Sequence, residues 1–305
     1  MRRSDRDARG GNLRFGRRQF LGGALGTWAG AAAGFSLFDM AGRTMPAKAA
    51  PSPPSLPGNP PDKPTSNGIT VQAADPAISA GPVQYQGIIT PISGYLSAPA
   101  GTEVYPGVLV IHDVFGLTEH IKDVTRRLAK AGYVALAPDL LSRRGGTDKQ
   151  GDLAKIASAL SSMGMTAYFQ DLNASVSYLE ARPLVAKSRV GVLGFGLGGS
   201  LEWSLLATNS DLKAGVTLYG AIPPLAAVPS IKGAVLAIFA ETDQQDAADV
   251  NSLDQSMKKT GVPWAFKTEP KTGRGFFDDS RNRYVADAAK DAWKMTLDWF
   301  GKHLT

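Results

Sequence analysis

From residue 83 onward, apolar and polar positions alternate between two patterns. Short, nearly unbroken apolar runs read as strands buried on both faces: Gly107–His112, Tyr133–Ala137, Val190–Phe195, Ala214–Tyr219 and Ala234–Phe239. Between them lie stretches with helical spacing. Glu119–Ala131 sets Ile121, Val124 and Leu128 on one face and stops at Gly132. Further helices are predicted over 151–163, 165–181, Gly198–Ala207, 246–260 and 284–303, the last with Trp293, Leu297 and Phe300 on one face and Trp299 as further packing. Val83–Ile89 and Ser93–Ala98 predict an opening antiparallel pair, and Trp264–Thr268 a final strand. Strands alternating with helices imply parallel βαβ units. The expected fold class is α/β, a mostly parallel sheet with helices on both faces.

The first 68 residues break this pattern. Residues 50–68, APSPPSLPGNPPDKPTSNG, read as an extended linker, which puts the domain at 69–305. Upstream, Arg17-Arg18-Gln19-Phe20-Leu21 resembles the twin-arginine export motif. A weakly apolar run follows over Gly22–Phe38, and Ala47-Lys48-Ala49 offers a cleavage pattern, with cutting expected after Ala49. Residues 1–49 are therefore expected to be a signal peptide, with the twin-arginine translocase as a transient partner and a periplasmic or secreted product. Membrane contact is expected only through an uncut leader, and this run is short and glycine-rich beside the ~20 apolar residues a span prefers.

Charge narrows the partners. The chain of 305 residues carries a net charge of +6, and residues 1–49 hold all of it, with nine basic and three acidic side chains. The remaining 24 basic and 24 acidic residues cancel, so the domain gives no electrostatic ground for nucleic acid or an anionic membrane. There is no cysteine, which excludes disulfides, thiolate metal sites and a cysteine nucleophile. Asp278, Asp279 and the acids of 246–250 lack metal-site spacing and are expected at the surface. No metal and no cofactor is predicted.

The stretch Val190–Ser200, VGVLGFGLGGS, carries the candidate chemistry and admits two readings. Gly194, Gly196 and Gly199 fit the glycine fingerprint of a dinucleotide site, which also needs an acid near the end of the next strand. That strand ends in Tyr219-Gly220-Ala221, and the glycines come late rather than in a first βα turn. The alternative is the sharp strand-to-helix turn of an α/β-hydrolase, with Gly194 and Gly198 as the small flanking residues and Gly196 at the nucleophile position. Such a turn aims a backbone N–H, here that of Leu197, at the reacting oxygen. The residues favour this second reading.

Four ordered stretches then resemble the dienelactone hydrolase family across residues 85–304: VLVIHDVFGLTEHIKDVTRRLAKAGYVALAPDLLS (108–142), VGVLGFGLGG (190–199), LAIFAETD (236–243) and GRGFFDDSRNRYVADAAKDAWKMTLDWFGKHL (273–304). The resemblance implies an α/β-hydrolase fold and ester or lactone hydrolysis. It also implies a nucleophile at 196, a histidine at 274, an acid at Asp243, a further acid at Asp113 and oxyanion donors in the N–H groups of Val114 and Leu197. This chain keeps Asp243 and has the shorter Asp113 where the family's HE-x-x-G segment has glutamate. It carries Gly196 and Arg274 at the two remaining positions. Glycine offers no attacking atom, and arginine stays protonated and cannot take a proton.

Other residues could have taken over the chemistry. His112 is expected to be a structural histidine near the site mouth, His120 an exposed residue at a helix start and His303 a complement to a helix C-terminus. Ser200 is expected to face packing, and Ser142 to reach the cleft rim without a base beside it. Arg143, Arg144 and Arg274 are candidates for a carboxylate pocket with Asp113 and Asp243, and Arg274 is expected to pair with Asp243. The expected function is an exported family member impaired in catalysis, its cleft kept for a small carboxylate or ester-like ligand. The alternative is an active ester hydrolase using unconventional groups around Asp113 and Asp243.

Overall fold

The computed structural model describes residues 69–243 and 247–305. The expectations for the leader (1–49) and the linker (50–68) lie outside these described residues. Eight strands form one sheet: β1 (Ile78–Gln86), β2 (Pro91–Pro99), β3 (Tyr105–Ile111), β4 (Val134–Pro138), β5 (Val185–Phe195), β6 (Leu212–Leu218), β7 (Ala234–Ala240) and β8 (Trp264–Glu269). The helices are α1 (Glu119–Lys130), α2 (Leu153–Ser161), α3 (Met165–Glu180), α4 (Leu197–Thr208), α5 (Ala247–Thr260) and α6 (Ala286–His303).

The strand order is β1-β2-β4-β3-β5-β6-β7-β8. β1 pairs with β2, and β2 with β4, antiparallel, while every other neighbour is parallel. The α/β class expected from the alternation is the class observed. β4 and β7 are buried along their whole length, and β3 from Gly107 onward. Helices cover both faces of such a sheet, so the strand sequences need no polar side.

Two strands are longer than their apolar runs. β1 starts at Ile78, five residues before the expected Val83, because its partner β2 supplies a register down to Ile78↔Pro99. β5 starts at Val185, and its first residues alternate in exposure rather than running apolar. A short 3-10 helix at Leu225–Ser230 was not foreseen.

This topology sets where a site can form. After β3 the chain crosses to β4 on one side of it, and then returns to β5 on the other. A crevice opens at the C-terminal strand ends where the winding direction changes. His112-Asp113 leaves β3 there, Gly196 leaves β5, Tyr219 leaves β6 and Asp243 follows β7.

Candidate functional site

The turn after β5 holds Gly196 at φ 51°, ψ −109°, as the residue that caps α4. Side-chain-bearing residues avoid this region, so glycine relieves the strain. Its N–H is anchored on the Leu218 carbonyl of β6 at 3.0 Å. Gly198 is small for a different reason: a Cβ there would run into the Ile111 carbonyl at the end of β3. The glycines thus serve the bend and the close approach of α4 to β3. No acid suited to a dinucleotide ribose follows β6, which leads into the buried Tyr219 with φ 43°.

Asp113 lies against this turn. Its Oδ1 accepts the Val114 N–H at 2.7 Å and the Leu197 N–H at 2.9 Å. The two amides that the family resemblance marked as oxyanion donors therefore converge on one oxygen, and that oxygen belongs to the chain itself. A Cβ on Gly196 would fall inside van der Waals contact of both carboxylate oxygens and the carbon between them. The carboxylate fills the space a side chain at 196 would need. Burial pushes the Asp113 pKa up, opposed by the two N–H groups and by the charge of Arg274.

The loop carrying Asp113 is fixed from behind. The His112 Nδ1–H donates to the Asp113 carbonyl at 2.7 Å, and its Nε2 accepts the Leu140 N–H at 3.1 Å. Both ring nitrogens are used by the neutral tautomer, and burial holds the pKa below the usual value. His112 is a structural clamp. Asp139, after β4, accepts the N–H groups of Leu141 and Thr147 and the Thr147 hydroxyl, and that hydroxyl accepts the Leu117 N–H. The loops following β3 and β4 are thereby tied into one unit.

On the opposite side, Arg274 Nε lies 3.4 Å from Asp243 Oδ1. The acid that would orient a histidine instead faces a guanidinium. In front of Asp113 is a recess of about 20 Å³, lined among others by Phe115, His120, Phe195, Tyr219 and Asp278. That volume holds about one water molecule. Tyr219 packs against Phe195 and Phe276, and its hydroxyl is held un-ionised by burial and by the negative charges of Asp113 and Asp278.

Several expectations need correction. His120 is buried, not exposed: its Nδ1 lies 3.0 Å from Asp279 and 3.6 Å from Asp278, and its Nε2 has no hydrogen-bond partner among the described residues. Asp278 is likewise buried and Asp279 half-buried, paired with Arg281 at 3.0 Å and Arg127 at 3.1 Å. His120, Asp278 and Asp279 bring ligand-type atoms within 4.8 Å of one another, but the two arginines already supply the compensating positive charge. Spacing could have revealed His120, which stands four residues before Val124 and eight before Leu128 on the buried face of α1.

Arg143 and Arg144 do not join the recess. The Arg143 guanidinium donates to both Asp171 oxygens and to Gln170, and Arg144 donates to Ser162 on the far side of the loop. Ser142 accepts the Ser93 N–H and donates to the Asp139 carbonyl, which makes it a strand-end tie. The Ser200 hydroxyl accepts the Ala221 N–H and reaches the Gly196 carbonyl. Neither serine meets an imidazole.

The sequence reading also missed Glu202. It is fully buried on α4 beside Gly194 and Gly215, and burial raises its pKa well above the usual value. The folded chain therefore holds this proton more tightly than the unfolded chain does. Stability from this group is complete below the unfolded carboxyl pKa of ~4.3 and declines as pH rises toward the folded value. Glu202→Gln is expected to flatten the loss of stability between acid and neutral pH. Denaturant melts at pH 4.5, 6 and 7.5 check this, and parallel pH profiles for the two proteins would contradict it.

Comparison with known proteins agrees with this fold. The model of the dienelactone hydrolase family matches residues 92–304. A Methylorubrum extorquens protein provisionally named a carboxymethylenebutenolidase is 33% identical over 224 residues, covering 70% of this chain and 77% of the relative. A crystal structure from Klebsiella pneumoniae, provisionally named a dienelactone hydrolase, superimposes with TM-score 0.69 at 27% identity, covering 74% of this chain and all of the other. A dienelactone hydrolase-like promiscuous phosphotriesterase from metagenomic libraries has TM-score 0.67 at 25% identity, covering 75% of this chain and all of that one.

Proposed function

The chain belongs to the dienelactone hydrolase family, and from that premise we propose that it is an exported member in which ester and lactone hydrolysis is lost or strongly impaired. Its cleft then serves to bind a small carboxylate or ester-like molecule. One observation carries the reading: the nucleophile position is Gly196 and the histidine position is Arg274, held 3.4 Å from the acid it would have relayed. Nucleophilic catalysis needs an attacking atom and a base that accepts its proton, and these two positions supply neither. The RRQFL stretch and the Ala47-Lys48-Ala49 pattern support export.

Purified mature protein is expected to turn over small aryl esters and enol-lactones no faster than the buffer background. Clear wild-type turnover would sink the proposal, whether or not Asp243→Ala abolishes it. The export half is checked by fractionation, with the chain cut after Ala49 and found outside the cytoplasm.

One observation favours the second reading, hydrolysis by a water activated in the cleft. His120, oriented by Asp279, lines the same recess as Asp113. Turnover abolished by His120→Gln but untouched by Asp243→Ala would select it.

A further inference from the structure

The carboxylate of Asp113 is bound as an external ligand would be. It comes from the β3 side of the crevice and meets an amide of its own loop at 2.7 Å and the Leu197 amide, from the first turn of α4, at 2.9 Å. The second donor is 84 residues away in sequence, so the contact is not a local turn. A capping aspartate needs no special partner across the cleft. This one needs a residue without a Cβ at 196, because the carboxylate lies where that atom would be. Asp113 also lines the narrow recess beside the turn, together with Phe115, Tyr219 and Asp278.

We propose that the Val114 and Leu197 amides form a carboxylate site whose resident ligand is the chain's own Asp113, so that a free small carboxylate reaches them only when the Asp113 side chain leaves. Asp113 is thus a tethered occupant that closes the donor pair to carbonyl compounds, separately from the missing nucleophile. The ligand class rests on the binding role proposed above. The test does not use turnover, so the two ideas can fail separately.

Asp113→Ala removes the carboxylate and keeps the Cβ, and formate replaces the lost group. The variant is expected to gain about 2–4 °C in melting temperature in about 100 mM sodium formate, while the wild type gains no more than it does in sodium chloride of equal ionic strength. Equal responses of the two proteins, or none in the variant, overturn the proposal. If the variant does not fold, amide NMR of the wild type decides. The Val114 and Leu197 protons are expected to exchange slowly, to stay in place on formate addition and to keep their protection in Asp113→Asn, whose side-chain oxygen can still accept. Exchange at loop rates, or a shift with formate in the wild type, overturns it.

Discussion

Gly196→Ala is expected to lower the unfolding free energy by about 2–4 kcal/mol, a large loss for one added methyl group. Two costs combine. The backbone at φ 51°, ψ −109° is one that alanine adopts only under strain. The new Cβ also evicts the Asp113 carboxylate, which forfeits its bonds to Val114 and Leu197 while the amides stay buried in the crevice. The second cost disappears if Asp113 has already been removed. In an Asp113→Ala background the same substitution is therefore expected to cost only the backbone term, and the double-mutant cycle to show a coupling of about 1–2 kcal/mol. Urea melts of the four proteins measure it. Additive losses would mean that the space at 196 and the Asp113 carboxylate are unrelated.

The largest effect on activity concerns restoration of the family residues. Gly196→Cys with Arg274→His supplies an attacking sulfur and a base, yet the pair is expected to stay near background on aryl esters. The cysteine Cβ displaces the Asp113 carboxylate from the two N–H groups, but the displaced charge stays on the same loop and opposes the negative charge that develops on the substrate oxygen. Adding Asp113→Ala is expected to raise the rate by about 10²-fold or more over that double variant, the scale on which positioned proton transfer and oxyanion donors act. A burst of released phenol in stopped-flow assays would mark the acyl-enzyme. A double variant as fast as the triple would show that the displaced Asp113 carboxylate no longer acts on the site.

Much of the fold was legible in the sequence because a sheet covered on both faces writes itself as continuous apolar runs. β4 and β7 carry no polar side chain at all. Legibility failed at the sheet's margins. ISAGP at the start of β1 contains glycine and proline, and it is a strand only because β2 lies beside it. The opening of β5, VAKSR, is half solvated. At the site, the sequence shows glycine at 196 and arginine at 274, where the family resemblance implies a nucleophile and a histidine. The relation between Asp113 and Gly196 could not be read, because it is a fit between one missing Cβ and one short acid, 83 positions apart. His120 and the Asp278-Asp279 pair were misplaced for a similar reason. Charged residues read as solvated until the fold brings Arg127 and Arg281 to them.

The occupied space at position 196 also constrains how this lineage can change. Any replacement for glycine meets the buried acid, and removing that acid first leaves two inward amides without their acceptor. Each single step is a loss of stability before it is a gain of anything. The two positions are therefore expected to change together, so the seating of one carboxylate couples two codons that lie 83 positions apart in the chain.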